Sequence, residues 1–435
     1  MKTRQHLMLT AAAVGILSLV ASTFSVKPSR KPYTSNIPKG CVFRTVMGEE
    51  KSDSFFIYKT SDRISTAIDR GLTWVTRAQQ DNGGWGAGSH ARQDIRDPHA
   101  VSSDPATTAM VAMALLRTGN TLTKGGYAVH VRKATEYLLQ AVESSSPTSA
   151  NITSLTGTQI QSKLGNNIDV VLTSQYLTNL LEQLKNNDPM RNRVKRAVEV
   201  CITKIQQAQS ADGSMEGSGW AGVLQSSFAT NALEAAEALD VEVDDKALAR
   251  ARDFQKQNYD AKSGNVNTDM GAGIVLYSVS GSTRASAKEA RHVQEEMEKA
   301  KQDGRLAKGA APSVANLEKI GFSKEEAIKH ATAYEVYNSA KVQAQREDVL
   351  SGFGNNGGEE FMSYLQTGES MVIGKDNDWT RWYDNTSGRL LQIQNNDGSW
   401  SGHHCITSPV FCTATCLLIL SVNNDVERLV KQGQK

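Results

Sequence analysis

The residues with the richest chemistry lie close together near the end of the chain. His403, His404 and Cys405 are consecutive, and Cys412 and Cys416 follow at a spacing of four. Imidazole and thiolate groups are ligands for zinc and copper ions, and the spacing of four places Cys412 and Cys416 on one face of a helix. The cluster therefore allows three interpretations: a metal site, a disulfide or packing role, or an activated thiol or histidine base.

Carboxylates recur where strongly apolar segments begin. They are Asp104, Asp169, Asp269, Glu359 and Glu360. If these segments are parallel helices, the carboxylates share one rim with the His403 to Cys405 run. A helix N-terminus favours a carboxylate for purely structural reasons, and Asp104 before Pro105 is a good N-cap. A rim of carboxylates and histidines also suits acid-base work or ligand capture, and the sequence leaves both explanations open.

The elements that position these residues are announced by a repeated turn. The run 79–85 reads Gln-Gln-Asp-Asn-Gly-Gly-Trp, and 394–400 reads Gln-Asn-Asn-Asp-Gly-Ser-Trp, with weaker copies at 209–214 and 257–264. Each copy follows a helix with one apolar stripe and precedes a mostly apolar segment. Gly can adopt the left-handed conformation of a helix cap, and Asp or Asn stabilises the turn. Gln can hydrogen-bond exposed backbone groups at the helix end, and Trp can cover the junction with the next hairpin. The pattern predicts helical hairpins with an outer and an inner member.

Six such pairs can be followed along the chain. We predict outer helices near 63–79, 128–143, 190–209, 244–257, 323–345 and 379–394, and inner helices that begin near 104, 169, 221, 268, 359 and 409. A closed ring of six hairpins leaves no exposed end repeat. The segment 284–302, rich in Glu, Lys and Ala, predicts an extra charged helix before the fifth pair, in an insertion that reaches about residue 312.

The first 22 residues resemble an export signal. Met1–Arg4 is basic, 7–21 is apolar, and small residues suit cleavage near Ser22. The segment is a signal peptide, or a membrane anchor if it stays uncleaved, and it is the expected membrane contact. We predict that residues 23–61 form a tether and that residues 62–435 form the folded domain. We therefore expect an extracytoplasmic protein, periplasmic or secreted.

Composition narrows the classes of partner and of covalent cross-link. Lys and Arg total 48 against 46 Asp and Glu, so the net charge of +2 and the absence of a basic cluster argue against nucleic acid as a partner. Five cysteines, including Cys41 and Cys201, are too few and too scattered for a disulfide scaffold. We expect Cys405 with Cys412 as the local pair if a disulfide forms.

Turns of the form Gln-x-x-x-Gly-x-Trp between an outer and an inner helix resemble the repeat of the squalene cyclase and protein prenyltransferase superfamily. The resemblance covers about residues 62–422 and is strongest at Gln80–Trp85 and Gln394–Trp400. It implies an all-α fold, the α/α toroid or α6/α6 barrel of six outer and inner helical hairpins.

The resemblance implies activities that the residues match only in part. Protonating cyclases carry Asp-x-Asp-Asp-Thr-Ala, but Ala106 occupies the proton donor's position after Asp104. Protein prenyltransferases hold zinc with Asp, Cys and His; here Cys412 falls at the His position, and Glu359 and Glu360 fall near the Asp-x-Cys position without its Cys. The Cys-Gly-Glu-Gln of thioester domains has no counterpart in the sequence.

Three functions follow as expectations. The first is a toroid that holds an isoprenoid or other lipid in its cavity, with His403, His404, Cys405, Glu359, Glu360 and Asp104 as catalytic candidates and Cys412, His404 and Glu359 as candidate zinc ligands. The second is a non-catalytic toroid that binds a protein or another envelope component. The third is a carbohydrate-active toroid in which Glu359 or Glu360 works with Asp269.

Overall fold

The computed structural model describes residues 60–433, with side chains up to residue 424. The predicted signal 1–22, nearly all of the tether 23–61, and Cys41 lie outside the described residues. The described part is helical and contains no strand, only isolated bridges. None of its helices is both long enough and apolar enough to cross a bilayer.

Fifteen α-helices follow one another in the described range. In chain order they are α1 (Asp62–Arg77), α2 (Pro105–Arg117), α3 (Ala128–Ser144), α4 (Gln159–Leu164), α5 (Ile168–Gln183), α6 (Pro189–Gln207), α7 (Gly222–Ala238), α8 (Asp245–Gln257), α9 (Val275–Gln302), α10 (Val314–Lys319), α11 (Lys324–Ala344), α12 (Glu347–Leu350), α13 (Gly358–Ile373), α14 (Trp379–Gln392) and α15 (Pro409–Gly433). Short 3-10 turns lie at His90–Arg92 and Asp269–Gly271.

Six of these helices form a closed inner ring. Helix α2 packs on α5, α5 on α7, α7 on α9, α9 on α13, α13 on α15, and α15 again on α2. Helices α1, α3, α6, α8, α11 and α14 form the outer layer, each beside its inner partners. The predicted α/α toroid of six hairpins is therefore confirmed.

The two layers differ in burial as their sequences predict. Outer helix α1 buries one stripe that includes Ile64, Ile68, Leu72 and Val75, and it leaves the opposite face to solvent. Inner helix α13 is buried at every position from Gly358 to Ile373. A helix enclosed on all sides needs small or apolar residues over most of its surface, and the inner segments supply them, apart from a few buried polar side chains such as Glu359, Glu360 and Glu369.

The fourth inner helix corrects two predictions. It begins at Val275 rather than near 268, because the 3-10 turn at Asp269–Gly271 and the left-handed Ala272 (φ 52°) precede it. Segment 284–302 is not a separate helix but the second half of α9, which runs unbroken for 28 residues. No proline interrupts this stretch. Its far end packs with α10 and α11 around a small apolar cluster that includes Val293, Met297 and Leu317.

The Gln of the repeated turn ties neighbouring hairpins together. Gln79 Nε2 donates to a carbonyl in its own turn and to the His130 carbonyl of α3 at 3.1 Å. Gln394 Nε2 does the same at the other end of the chain, where it reaches the Ala67 carbonyl of α1 at 2.9 Å. The bond from Gln394 joins the last hairpin to the first and so closes the outer layer.

The weaker copy at 209–214 keeps this bond. Gln209 Nε2 donates to the Ala247 carbonyl of α8 at 2.9 Å. Met215 stands where the strong copies have Trp, and it is buried. The hydrogen bond between hairpins is thus retained where the aromatic residue is not.

The Gly of the turn is required twice over. Gly83 and Gly398 have φ values of 88° and 96°, in the left-handed region. A Cβ at Gly83 would lie 2.6 Å from the Lys133 carbonyl oxygen, and one at Gly398 would lie 2.8 Å from that of Arg70. Glycine therefore permits both the backbone conformation and the close approach of the neighbouring outer helix.

The Trp of each strong turn is fully buried. Trp85 Nε1 donates to the Val75 carbonyl at 2.7 Å, and Trp400 Nε1 donates to the Leu390 carbonyl at 2.8 Å. The Trp400 ring also packs against Gly71 of α1, so it covers the junction between the last and first hairpins. This is the role that the sequence predicted for it.

Candidate functional site

A short helix that the sequence did not reveal closes one mouth of the ring. Helix α4 packs on the inner helices α5 and α7, and its Ile160 and Leu164 are fully buried. Gln159 Oε1 accepts hydrogen bonds from the Thr407 and Ser408 amides at 2.8 and 3.1 Å, at the start of α15. Because α4 reaches from α5 and α7 to α15, it lies across the mouth where the inner helices begin. We call α4 the plug.

Glu360 lies at this mouth, and its carboxylate is fully engaged. Its Oε1 accepts from the Tyr277 hydroxyl at 2.7 Å and from the Phe353 amide at 3.2 Å, and its Oε2 accepts from the Gly357 amide at 2.9 Å. His404 Nε2 lies 3.6 Å from Oε1. Glu360 therefore fixes the loop that leads into α13, which is a structural task.

Glu359 and Cys405 are neighbours of this group. Glu359 is buried, and its Oε2 accepts from the Ile406 amide at 3.2 Å. Burial, reinforced by Glu360, raises the pKa of Glu359 to about 8. Cys405 is half-buried with φ 56°, and burial together with Glu359 raises the pKa of its thiol to about 11. At neutral pH both groups carry their protons, so Cys405 is a poor nucleophile.

The two adjacent histidines do not work together. His403 is exposed, and its amide donates to the Asn356 carbonyl at 2.7 Å. His404 Nε2 hydrogen-bonds with the Asn355 carbonyl oxygen, so Nε2 carries the proton. Its Nδ1 is buried without a partner, and its ring centre lies 5.2 Å from that of Phe353.

The cysteines form neither a disulfide nor a metal site in the described part of the chain. Cys201, Cys405, Cys412 and Cys416 are all free, so the expected Cys405–Cys412 pair is not formed. Burial raises the pKa of the Cys412 thiol, which points at the Ile406 carbonyl oxygen at 3.5 Å.

No set of three or more His, Cys, Asp or Glu side chains between residues 60 and 424 is arranged to hold a metal. Cys412, His404 and Glu359 thus do not come together as the zinc site that the sequence suggested. Their bonds to backbone atoms account for two of them: Glu359 accepts from the Ile406 amide, and His404 binds the Asn355 carbonyl.

The aspartates of the predicted rim have separate structural roles. Asp104 caps α2: its carboxylate accepts from the Thr107 amide at 2.7 Å and the Ala87 amide at 2.9 Å, while burial raises its pKa. Burial also raises the pKa of Asp169 to about 7. Asp269 lies exposed on the 3-10 turn, not at the start of an inner helix. It therefore does not share the buried surroundings of Glu359 and Glu360, which weakens the carboxylate-pair hypothesis.

A second group of polar residues surrounds the axis of the ring. All six inner helices line an axial cavity, with the residues Met113, Arg117, Gln175, Asn179, Phe228, Asn231, Ala235, Arg284, Leu365, Glu369 and Leu418. Arg117 Nη2 and Glu369 Oε1 form an ion pair at 2.7 Å across it. The sequence signal that could have revealed this site is the presence of Arg and Glu inside otherwise apolar inner helices.

The axial cavity is small. Its volume is about 40 Å³, which is space for about three water molecules, whereas sites for larger organic ligands take roughly 300 to 1,000 Å³. Larger grooves of about 900 and 510 Å³ lie elsewhere. The first is lined mainly by α3 and the connection after it, and the second mainly by the connection after α2 and the end of α5 with the connection that follows. This axial cavity has no room for a prenyl chain.

Comparison with known proteins gives one kind of similarity. No protein-family model and no curated protein matches the chain. Among solved structures, a type II terpene cyclase from Scytonema, in complex with its substrate geranylgeranyl dihydroxybenzoate, is 11% identical over 83% of this chain and 97% of that chain, with a TM-score of 0.41. The closed order of the inner helices shows that the described part of the chain has an α/α toroid fold.

Proposed function

We propose that this protein is an extracytoplasmic, non-catalytic toroid that binds a protein or other envelope component on its outer surface. The ring serves as a rigid scaffold, and prenyl transfer and cyclisation are not its tasks. An isoprenoid ligand in the cavity, which the resemblance led us to expect, is the alternative that this proposal opposes.

The observation that carries the proposal is the closed interior of the ring. The plug covers the mouth where the inner helices begin, and the axial cavity measures only about 40 Å³. A prenyl chain of fifteen or more carbons needs several times that space. Chemistry on such a chain would require both the plug and the inner side chains to move aside.

The state of the candidate catalytic groups supports the same view. The carboxylates of Asp104 and Glu360 accept hydrogen bonds from backbone amides. Burial raises the pKa of the Cys405 and Cys412 thiols, so both thiols are protonated near neutral pH. An acid that protonates an alkene must be free to reach substrate carbon. Neither Asp104 nor Glu360 has that freedom.

A place for a partner is offered by two exposed aromatic side chains beside the plugged mouth. Trp220 is 62% exposed and lies over Lys163 of the plug, with Nζ 4.4 Å from the ring centre. Phe353 is 53% exposed and packs on His404. We call this pair the aromatic face. Large aromatic side chains at the surface are common anchors in protein interfaces.

Site-specific photo-crosslinking tests the partner. A photoreactive phenylalanine analogue is placed at Trp220 or Phe353 of the full chain in its native cells, and at Val342 as a control. Val342 is 60% exposed on the outer helix α11. We expect one discrete adduct from positions 220 and 353 and none from 342. No adduct at either aromatic position, or the same adduct at all three, would overturn the proposal.

The extracytoplasmic location rests on the sequence of the first 22 residues and needs its own test. Fusion of residues 1–60 to alkaline phosphatase gives an enzyme that is active only after export. We expect activity from this fusion and none after deletion of 7–21. An inactive intact fusion contradicts the location and leaves the partner proposal to the crosslinking result.

A further inference from the structure

One buried arginine has a hydrogen-bonding edge without a partner. Arg284 lies in the middle of inner helix α9, is 1% exposed, and lines the axial cavity. Its Nη1 contacts Glu234 Oε2 at 3.2 Å. Its Nε and Nη2 are both buried and have no partner. Leaving charged donors unpaired in the interior costs more than leaving neutral ones unpaired.

The two unpartnered nitrogens belong to the same edge of the guanidinium group. The N–H bonds of Nε and Nη2 are parallel and match the spacing of two oxygens on one planar oxyanion, the bidentate arrangement that arginine favours. Because Nη1 is taken by Glu234, the free edge is complete and available as a unit.

The charges around Arg284 leave a place for one more negative group. Glu234 is shared, since its Oε1 also binds Arg252 Nε at 2.7 Å, and Glu237 lies 3.8 Å from Arg252. Lys288, whose pKa is lowered by burial, also lies within the field of Glu234. Glu289 also acts on Arg252, but it is paired with Lys256 at 3.4 Å. Arg284, Arg252 and Lys288 thus share Glu234 and Glu237. Burial raises the pKa of Glu234, but Arg252 and Arg284 outweigh it and keep that carboxyl ionised.

The other polar groups of the cavity limit the kind of ligand that it can bind. Arg117 is neutralised by Glu369 at 2.7 Å, so Arg284 is the cation with a free edge. Asn231 is 6% exposed and lines the cavity, and its Oδ1 has no partner. An amide oxygen accepts from a hydroxyl. The cavity therefore offers a two-donor edge and one acceptor within space for about three waters.

We propose that the axial cavity binds a small planar oxyanion, of the size of formate, nitrate or hydrogencarbonate, through the Nε and Nη2 edge of Arg284. Asn231 Oδ1 accepts from the hydroxyl of hydrogencarbonate. The bound anion completes the charge balance at the centre of the ring. This site goes beyond the proposed scaffold role and stands independently of the partner on the aromatic face.

Titration calorimetry of the full chain with sodium formate, nitrate and hydrogencarbonate tests the site, at constant ionic strength with chloride as the reference anion. We expect saturable binding of one anion per chain by all three, and none by benzoate, which exceeds the cavity. Line broadening of ¹³C-formate in the NMR spectrum supplies a second readout for the unmodified chain. Benzoate binding as tight as formate, or neither heat nor broadening with any of the three anions, would mean a water-filled cavity and overturn the proposal.

Single substitutions test whether the anion binds at Arg284. Arg284→Lys keeps the charge but removes the edge, and we expect at least about tenfold weaker binding. Arg193→Lys is the matched control, because Arg193 forms its pairs with Glu136 and Glu143 on the outer layer. Asn231→Ala should weaken hydrogencarbonate more than nitrate. Unchanged affinity in a folded Arg284→Lys chain would contradict the assignment, and if that variant does not fold, the unmodified chain and Asn231→Ala decide.

Discussion

The wall of the ring and its interior are built on different principles. In the wall, Gln394, Gly398 and Trp400 each make a contact that recurs at 79–85, with the same atoms and nearly the same distances. In the interior, the plug crosses one mouth, and Arg117 and Arg284 line the axial cavity with different partners, Glu369 and Glu234. The wall therefore uses the same contacts between different pairs of hairpins, whereas the plug and the cavity residues occur once each. Specific function is therefore expected from the interior and the surfaces, not from the repeat.

The largest effect is expected from removing a buried Trp of the wall. Trp400→Ala removes a fully buried side chain at the junction that closes the ring, together with its bond to the Leu390 carbonyl. We expect the free energy of unfolding to fall by about 3 to 5 kcal/mol. Urea unfolding of the full chain measures this change. The control is Trp220→Ala, which is expected to stay within about 0.5 kcal/mol because Trp220 is exposed. Equal stability of the two variants would show that the wall does not depend on the repeated Trp.

Substitution of the Gly of the turn is expected to lower the free energy of unfolding by a smaller amount, and its control is expected to raise it. Gly398→Ala places a Cβ in a left-handed conformation and 2.8 Å from the Arg70 carbonyl oxygen. We expect a loss of about 1 to 3 kcal/mol. Gly388→Ala, ten residues earlier inside α14, meets nothing within 4 Å and is expected to stabilise by about 0.5 to 1 kcal/mol. Urea midpoints compare them, and a stabilising Gly398→Ala would contradict the account of the turn.

These wall features were predictable because their signals are local. Helix α1 was expected at 63–79 and is found at Asp62–Arg77, and α14 was expected at 379–394 and is found at Trp379–Gln392. The cap residues lie at the ends of each helix, and the apolar positions recur within the helix itself, so both signals can be read from a short stretch of sequence. The fourth inner helix was misplaced because Ala272, an unremarkable residue type, takes the left-handed conformation that ends the preceding turn.

The interior was not predictable for the opposite reason. The plug depends on Gln159 bonding to Thr407, 248 positions away, and nothing in either segment signals the pairing. The rim was predicted only in part: Glu359 and Glu360 do lie beside His404 and Cys405, but sequence could not show that Glu359 accepts from the Ile406 amide and Glu360 from the Gly357 amide. Arg284 was assigned to an extra charged helix, because its burial comes from the ring and not from its neighbours in sequence.

A third effect concerns the plugged mouth and is measured as the change of stability with pH. Glu359 has a pKa near 8 in the fold against an ordinary value of 4.5, so between these values the folded chain holds a proton that the unfolded chain has lost. Stability from this group is complete below pH 4.5 and is lost as pH rises through about 8. The full chain should therefore lose stability with pH more steeply than Glu359→Gln, by up to about 1.4 kcal/mol per pH unit.

The pH comparison requires a control for ordinary surface titration. Glu216→Gln alters an exposed carboxylate and is expected to follow the unmodified chain at every pH. Urea unfolding at a series of pH values between 5 and 8 provides the data. Parallel curves for the unmodified chain and Glu359→Gln would show that Glu359 is ionised in the fold and that the mouth is not closed as described.

The closed interior is tested most directly by equilibrium dialysis of the full chain against radiolabelled farnesyl and geranylgeranyl diphosphate. A ring with an axial cavity of about 40 Å³ should show no saturable binding of either compound. The variant Ala235→Phe, which fills the cavity, should be indistinguishable from the unmodified chain. Saturable binding of one prenyl diphosphate per chain that Ala235→Phe abolishes would contradict the account and restore the ring as a prenyl chamber.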